Sequence, residues 1–193
     1  MKEDTFTQQQ SIEVIREMIQ RSKQKFSEYA DIFLVWGWTI NIAAAITYIY
    51  ILQGWTFNLL IVWAVAIGIP AVWTAYMSFT KGKAASAQAK TPIDTYMTAL
   101  WGGSSGVFVT LMLIGITSNW IIIYPILIAV YGWGVLVTGA MINFRPLIFG
   151  GISNFFIAGV AVFVASEAIL LILIAALTCS YLIPGYMLKY SDK

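Results

Sequence analysis

The chain has 193 residues, of which 60% are hydrophobic and only 10% charged, with a formal net charge of +2 and no histidine. That composition lies far outside the soluble norm, and the basic excess is too small to point to nucleic acid. The carboxylates Asp31, Asp94 and Glu167 stand at the edges of the apolar runs. The interior is thereby stripped of the groups from which acid-base catalysis near neutral pH is drawn, so an enzyme is the class least expected.

Residues 1–31 form a polar segment with both charge signs, no apolar h-region and no small-residue cleavage site, unlike a signal peptide. Within it Ile12, Ile15, Met18, Ile19, Phe26 and Tyr29 recur at helical spacing, with Thr7 and Gln10 placed as a capping box. The pattern predicts an N-terminal cytoplasmic amphipathic helix over 8–30. Its Glu17–Arg21 pair adds only a few tenths of a kcal/mol, so an apolar partner has to stabilise it. Lipid headgroups, the bundle itself or another protein would serve.

Charge-free stretches then run over 32–80, 95–144, 146–166 and 168–188. A membrane-crossing helix takes roughly 20 apolar residues, so the first two stretches hold two spans each and the last two hold one. The prediction is an all-α, six-transmembrane-helix bundle with spans at about 32–52, 58–79, 93–117, 120–142, 147–165 and 168–188, and a tail at 189–193. Gln53-Gly54 turns the chain after the first span, and Pro70 is expected to kink the second. Thr80 to Lys90, rich in Lys, Ala, Ser and Gln, reads as a mobile loop. Thr91-Pro92-Ile93-Asp94 is a helix start, Ser118 and Asn119 cap the fourth span, and Asn143-Phe144-Arg145-Pro146 makes a short turn. Ser166-Glu167 separates the last two spans.

With six spans and a cytoplasmic N-terminus, every Lys and Arg falls inside, and the connections near Gly54, Asn119 and Glu167 carry none. The expected setting is a multi-pass protein of the plasma (inner) membrane with both termini cytoplasmic. The lone Cys179 lies in an apolar run away from other ligand types, and no metal or cofactor is expected.

Four groups of residues are candidates for function. Asn41 and Asn154 are the deepest amides, and Tyr131, Thr138, Thr178, Ser180 and Tyr181 would complete an uncharged polar cavity with them; the plainer expectation is that each amide bonds a neighbouring helix. Gly102, Gly103, Ser105 and Gly106 form a small-residue face suited to close helix packing. Gly103-Ser104-Ser105-Gly106 also matches the G-x-S-G pattern around the rhomboid protease nucleophile, but the chain has no histidine to act as its base. Ile12, Ile15, Met18, Ile19 and Phe26 are the partner or membrane-surface positions of the N-terminal helix. Trp63 and Trp133 lie deep enough that their indole N–H groups are expected to face a polar interior.

Two functions remain. The leading expectation is a non-enzymatic protein acting by association through its cytoplasmic helix and loop, with the lipid bilayer and a cytoplasmic protein or a second copy as partners. The alternative is a small transporter or channel for a neutral or weakly polar solute, using the polar set around Asn41 and Asn154. An open interior would favour transport and a tightly packed one association.

Overall fold

The structure, a computed structural model, describes residues 8–85, 92–164 and 166–190; for residues 8–29, 80–85, 92 and 94 it describes the backbone alone. The described residues form helices joined by short turns, without a strand: α1 Gln8–Gln53, α2 Leu59–Ala85, α3 Pro92–Thr117, α4 Trp120–Met141 and α5 Arg145–Ala161. A last apolar segment, Ile169–Tyr190, consists of α6 Ile169–Leu177, a π-turn Thr178–Leu182 and α7 Ile183–Tyr190. Five segments are long and apolar enough to cross a membrane: Ala30–Gln53, Leu59–Phe79, Thr95–Thr117, Trp120–Met141 and Ile169–Tyr190. The protein is therefore a helical, multi-pass membrane protein.

The helices pair antiparallel, and the contacts read off in register. Along α1 and the last segment, Asp31 meets Lys189, Leu34 meets Gly185, Gly37 meets Leu182 and Asn41 meets Thr178, one contact per helical turn. Along α4 and α5, Gly139 lies on Leu147 and Ile148, Leu136 on Gly151, and Gly132 on Asn154. These are the closest seams in the bundle. A Cβ on Gly151 would stand 2.6 Å from the Leu136 backbone nitrogen and 2.7 Å from the Gly132 carbonyl oxygen, so only glycine lets the two backbones approach so far. On the other side of α4, Trp101 and Phe108 of α3 pack on Thr138 and Tyr131. The backbone of α2 packs against α1 alone, and that of α3 against α4 alone, among the described residues.

The turns follow their local chemistry. Gly54 takes φ +63 after α1, a left-handed conformation that glycine adopts without a Cβ penalty. Asn143, at φ 55, closes α4 in the same region, which asparagine tolerates better than most residues, and Phe144 N–H returns to Gly139 O at 2.9 Å. Asn119 caps α4 by accepting from Ile121 N–H at 3.0 Å.

Several sequence expectations change. The N-terminal helix is no separate element: α1 runs unbroken from Gln8 to Gln53, because neither Gly nor Pro occurs before Gly37 and Ala30, Phe33 and Leu34 are already buried in the bundle. The expected loop from Thr80 is helical as far as Ala85, in a stretch whose lysines and alanines are strong helix formers; 86–91 lie outside the described residues. The fifth span is shorter than expected and ends at Ala161, where Phe163 N–H and Val164 N–H bond back three residues and wind the chain into a turn. The last segment continues to Tyr190, beyond the expected 188.

Candidate functional site: a polar seam at the π-turn

The wide turn in the last segment has a visible cause in Pro184. Proline has no N–H for the carbonyl four residues back and its ring collides with that carbonyl, here Ser180. Widening the helix over Thr178–Leu182 relieves the collision, and Ile183 N–H bonds to Thr178 O, five residues back. The bulge turns Thr178 toward α1 and Ser180 toward α5. Gly150 of α5 makes room for it: a Cβ there would stand 3.0 Å from both Cys179 O and Ser180 Cα.

Both deep amides end on this turn. Asn41 Nδ2 donates to Thr178 Oγ1 at 3.2 Å, and Asn154 Nδ2 donates to Ser180 Oγ at 3.0 Å. The Ser180 hydroxyl in turn donates to Ala176 O at 2.8 Å. The other end of each amide, Asn41 Oδ1 and Asn154 Oδ1, is buried with no hydrogen-bond partner. An unpaired buried acceptor costs about 1–3 kcal/mol, comparable with what its companion bond returns.

Tyr181, next along the turn, is the hub of an aromatic cage. Phe33 of α1 lies 5.1 Å from it, Tyr131 of α4 5.7 Å and Trp101 of α3 6.5 Å, all edge to face. Trp101 Nε1 donates to Thr138 Oγ1 at 3.2 Å, and Thr138 in turn donates to Gly134 O. The cage joins α3 to helices its backbone does not reach.

Thus Asn41, Asn154, Thr178, Ser180, Tyr181 and Tyr131 gather on one turn, with Thr138 tied in through Trp101. They meet as interhelical contacts: Asn41, Thr138, Asn154, Ser180 and Tyr181 are all buried. The turn itself and Pro184 were missed by the sequence reading, although a proline inside the sixth apolar run was the signal for both. Chemically the seam offers neutral donors and acceptors, and among the described residues no group of three or more Cys, Asp and Glu stands together to hold a metal.

The other candidates lie elsewhere. Gly102, Gly103 and Gly106 are exposed, a Cβ on any of them would meet nothing within 4 Å, and Ser105 is exposed too, so this face packs on no other helix among the described residues. The α3 face that does pack carries Ser104 and Leu111, because the bulky Trp101 and Phe108 rotate it toward α4. Trp133 points outward at 46% exposure, since the seam of α4 is taken by the glycines flanking it; Trp63 packs against the core. Ile12, Ile15, Met18, Ile19 and Phe26 belong to the part of α1 described by its backbone alone. No known protein family, curated protein or solved structure matches the chain.

Proposed function

We propose that this is a non-enzymatic multi-pass membrane protein that acts by association, with the N-terminal half of α1 as its contact arm. The observation that carries this reading is the continuity of α1. At 1.5 Å per residue its 46 residues extend about 69 Å, against a hydrocarbon layer of about 30 Å, so roughly half of the helix stands clear of the bilayer. That half holds Arg16, Arg21, Lys23 and Lys25, which suits the cytoplasmic side. A partner gripping it would be coupled by one rigid helix to the seam with the last segment. The partner is a cytoplasmic protein or a second copy of the chain.

In the same reading the fold is a six-helix bundle with both ends cytoplasmic, in the plasma (inner) membrane. The 17 residues of α5 lie at the short end of the spanning range. Its antiparallel run against α4 and against the last segment supports a crossing, as does the antiparallel pairing of that segment with α1. An even number of alternating spans brings the two ends to one side.

The alternative, passage of a neutral solute along the polar seam, draws its support from the two unpaired amide oxygens. Against it stands the burial of the seam and its use in helix-to-helix bonds. Charged substitutions at Ile12, Ile15 and Ile19, and separately Asn41→Leu and Asn154→Leu, distinguish the two in a pull-down and a reconstituted flux assay. Association predicts loss of the partner with the first set and none with the second. Retention of every partner by the helix variants, with function lost in the asparagine variants alone, would overturn it.

A further inference from the structure

A groove of about 470 Å³ opens on the bundle surface where α1, α2 and α7 meet at the end that holds Lys189. Its rim is an ion pair: Lys189 Nζ donates to Asp31 Oδ1 at 2.9 Å, with the two side chains 45% and 39% exposed. Its walls are mainly apolar, formed by Leu34 and Val35 together with Trp38 and Trp73, which are 47% and 41% exposed, and Thr39 adds one hydroxyl that donates to the Val35 carbonyl. The indole N–H of Trp38 is taken by the Tyr186 hydroxyl at 3.1 Å, so that indole meets an occupant with its apolar ring. Trp38 lies seven residues beyond Asp31, about 10 Å along the helix axis. From rim to depth the groove thus passes from a cation and an anion to aromatic and aliphatic surface over the distance between a lipid headgroup and its upper acyl chain.

We propose that this groove is a binding site for a zwitterionic phospholipid whose headgroup carries a primary ammonium, of the phosphatidylethanolamine type. The pair need not break to receive it. An ammonium side chain has three donors and Asp31 takes one, while a carboxylate has about four acceptor positions and Lys189 takes one. Lys189 donates to the lipid phosphate, Asp31 accepts from the lipid ammonium, and the acyl chain lies along Leu34, Trp38 and Trp73. Headgroup choice follows from charge. An anionic glycerol headgroup can give its phosphate to Lys189 but brings no cation to the Asp31 carboxylate, and a choline headgroup has no N–H to donate. Assignment to the cytoplasmic leaflet rests on the orientation proposed above; binding itself does not.

The test is native mass spectrometry of the purified full chain, titrated in detergent with phosphatidylethanolamine, phosphatidylcholine and phosphatidylglycerol of identical acyl chains, with melting temperature followed in parallel. The wild type should retain one phosphatidylethanolamine at a concentration at least fivefold below that needed for either other lipid. Asp31→Asn should abolish this preference and raise phosphatidylglycerol binding, because only the cation remains; Lys189→Gln should weaken all three. Val35→Trp, which fills the groove from α1, should lower retention of phosphatidylethanolamine at least fivefold while the bundle still melts cooperatively. Equal retention of the three lipids by the wild type would overturn the proposal. So would an unchanged preference in Asp31→Asn, or a bare dimer whose mass shifts to monomer in Val35→Trp, which would make a second copy the occupant. None of these outcomes bears on whether the N-terminal arm binds a partner.

Discussion

The glycines of the α4–α5 seam give the sharpest test of the packing. In Gly151→Ala the new methyl lands 2.6 Å from the Leu136 backbone nitrogen and from its Cβ, and 2.7 Å from the Gly132 carbonyl. No rotamer can relieve a collision with backbone, so the two helices must part by about 0.8 Å to reach ordinary contact. Within a bilayer this separation cannot be offset by hydrophobic burial, since lipid is as apolar as the seam, and the dispersion contacts along both helices weaken together. Overpacking of this kind costs about 1–3 kcal/mol. For a chain of this size each kcal/mol corresponds to roughly 2–4 °C in Tm, by the scaling of soluble domains, so a fall of about 2–12 °C is expected. Gly102→Ala and Gly106→Ala are the controls: their methyls meet nothing within 4 Å, and alanine is the better helix former by up to about 1 kcal/mol. Thermal unfolding in detergent, followed by tryptophan fluorescence, should show the seam variant falling and the two controls level or slightly raised. The reasoning fails if Gly151→Ala melts with the wild type while Gly102→Ala falls.

Ser180→Ala should cost roughly 1–2 kcal/mol, because it leaves Asn154 Nδ2 as unpaired as its oxygen already is, whereas the double variant Ser180→Ala with Asn154→Leu should recover most of the loss by removing both polar groups; a double-mutant cycle on melting checks this. Asn119→Ala should lower stability by about 0.5–2 kcal/mol through loss of the α4 cap, and Asn119→Asp should restore it, by the same melting assay. With Cys179 replaced, Ser86→Cys should resist an impermeant thiol reagent applied outside intact cells and Asn119→Cys should react; the reverse pattern would invert the proposed orientation.

What the sequence disclosed and what it hid divide along a physical line. Long apolar runs, turn glycines and caps are local properties, so Gly54, Asn119 and the Asn143 to Pro146 turn stand where their chemistry requires. The interfaces were not local. Gly102 and Gly106 have the spacing of a packing motif, yet which face of α3 meets α4 is decided by Trp101 and Phe108, whose rings find Thr138 and Tyr131. Gly132, Gly139 and Gly151 carry the closest seam although only Gly132 and Gly139 share one helix. The join at Ala30 was hidden for a related reason: a change from charged to apolar composition marks where a helix enters a membrane, and it does not mark where a helix ends.

The last segment explains why the polar side chains collect where they do. It packs against α1, α4 and α5, whereas α2 and α3 each lean their backbones on one neighbour. A helix held on three sides needs contacts in three directions, and a regular helix bearing Pro184 would leave the Ser180 carbonyl in collision with the proline ring. The π-turn removes that collision and at the same stroke turns Thr178 to Asn41, Ser180 to Asn154 and Tyr181 into the ring cage. Each amide gains one bond and leaves its oxygen unpaired, so the net stabilisation of the seam is small, while its geometry admits only one register between the three helices. The same register sets Asp31 beside Lys189 about three turns away, where the apolar run of α1 begins. If the N-terminal half of α1 is the contact arm proposed above, a displacement of it meets the Asp31–Lys189 pair first and the Asn41–Thr178 bond about three turns further along the helix.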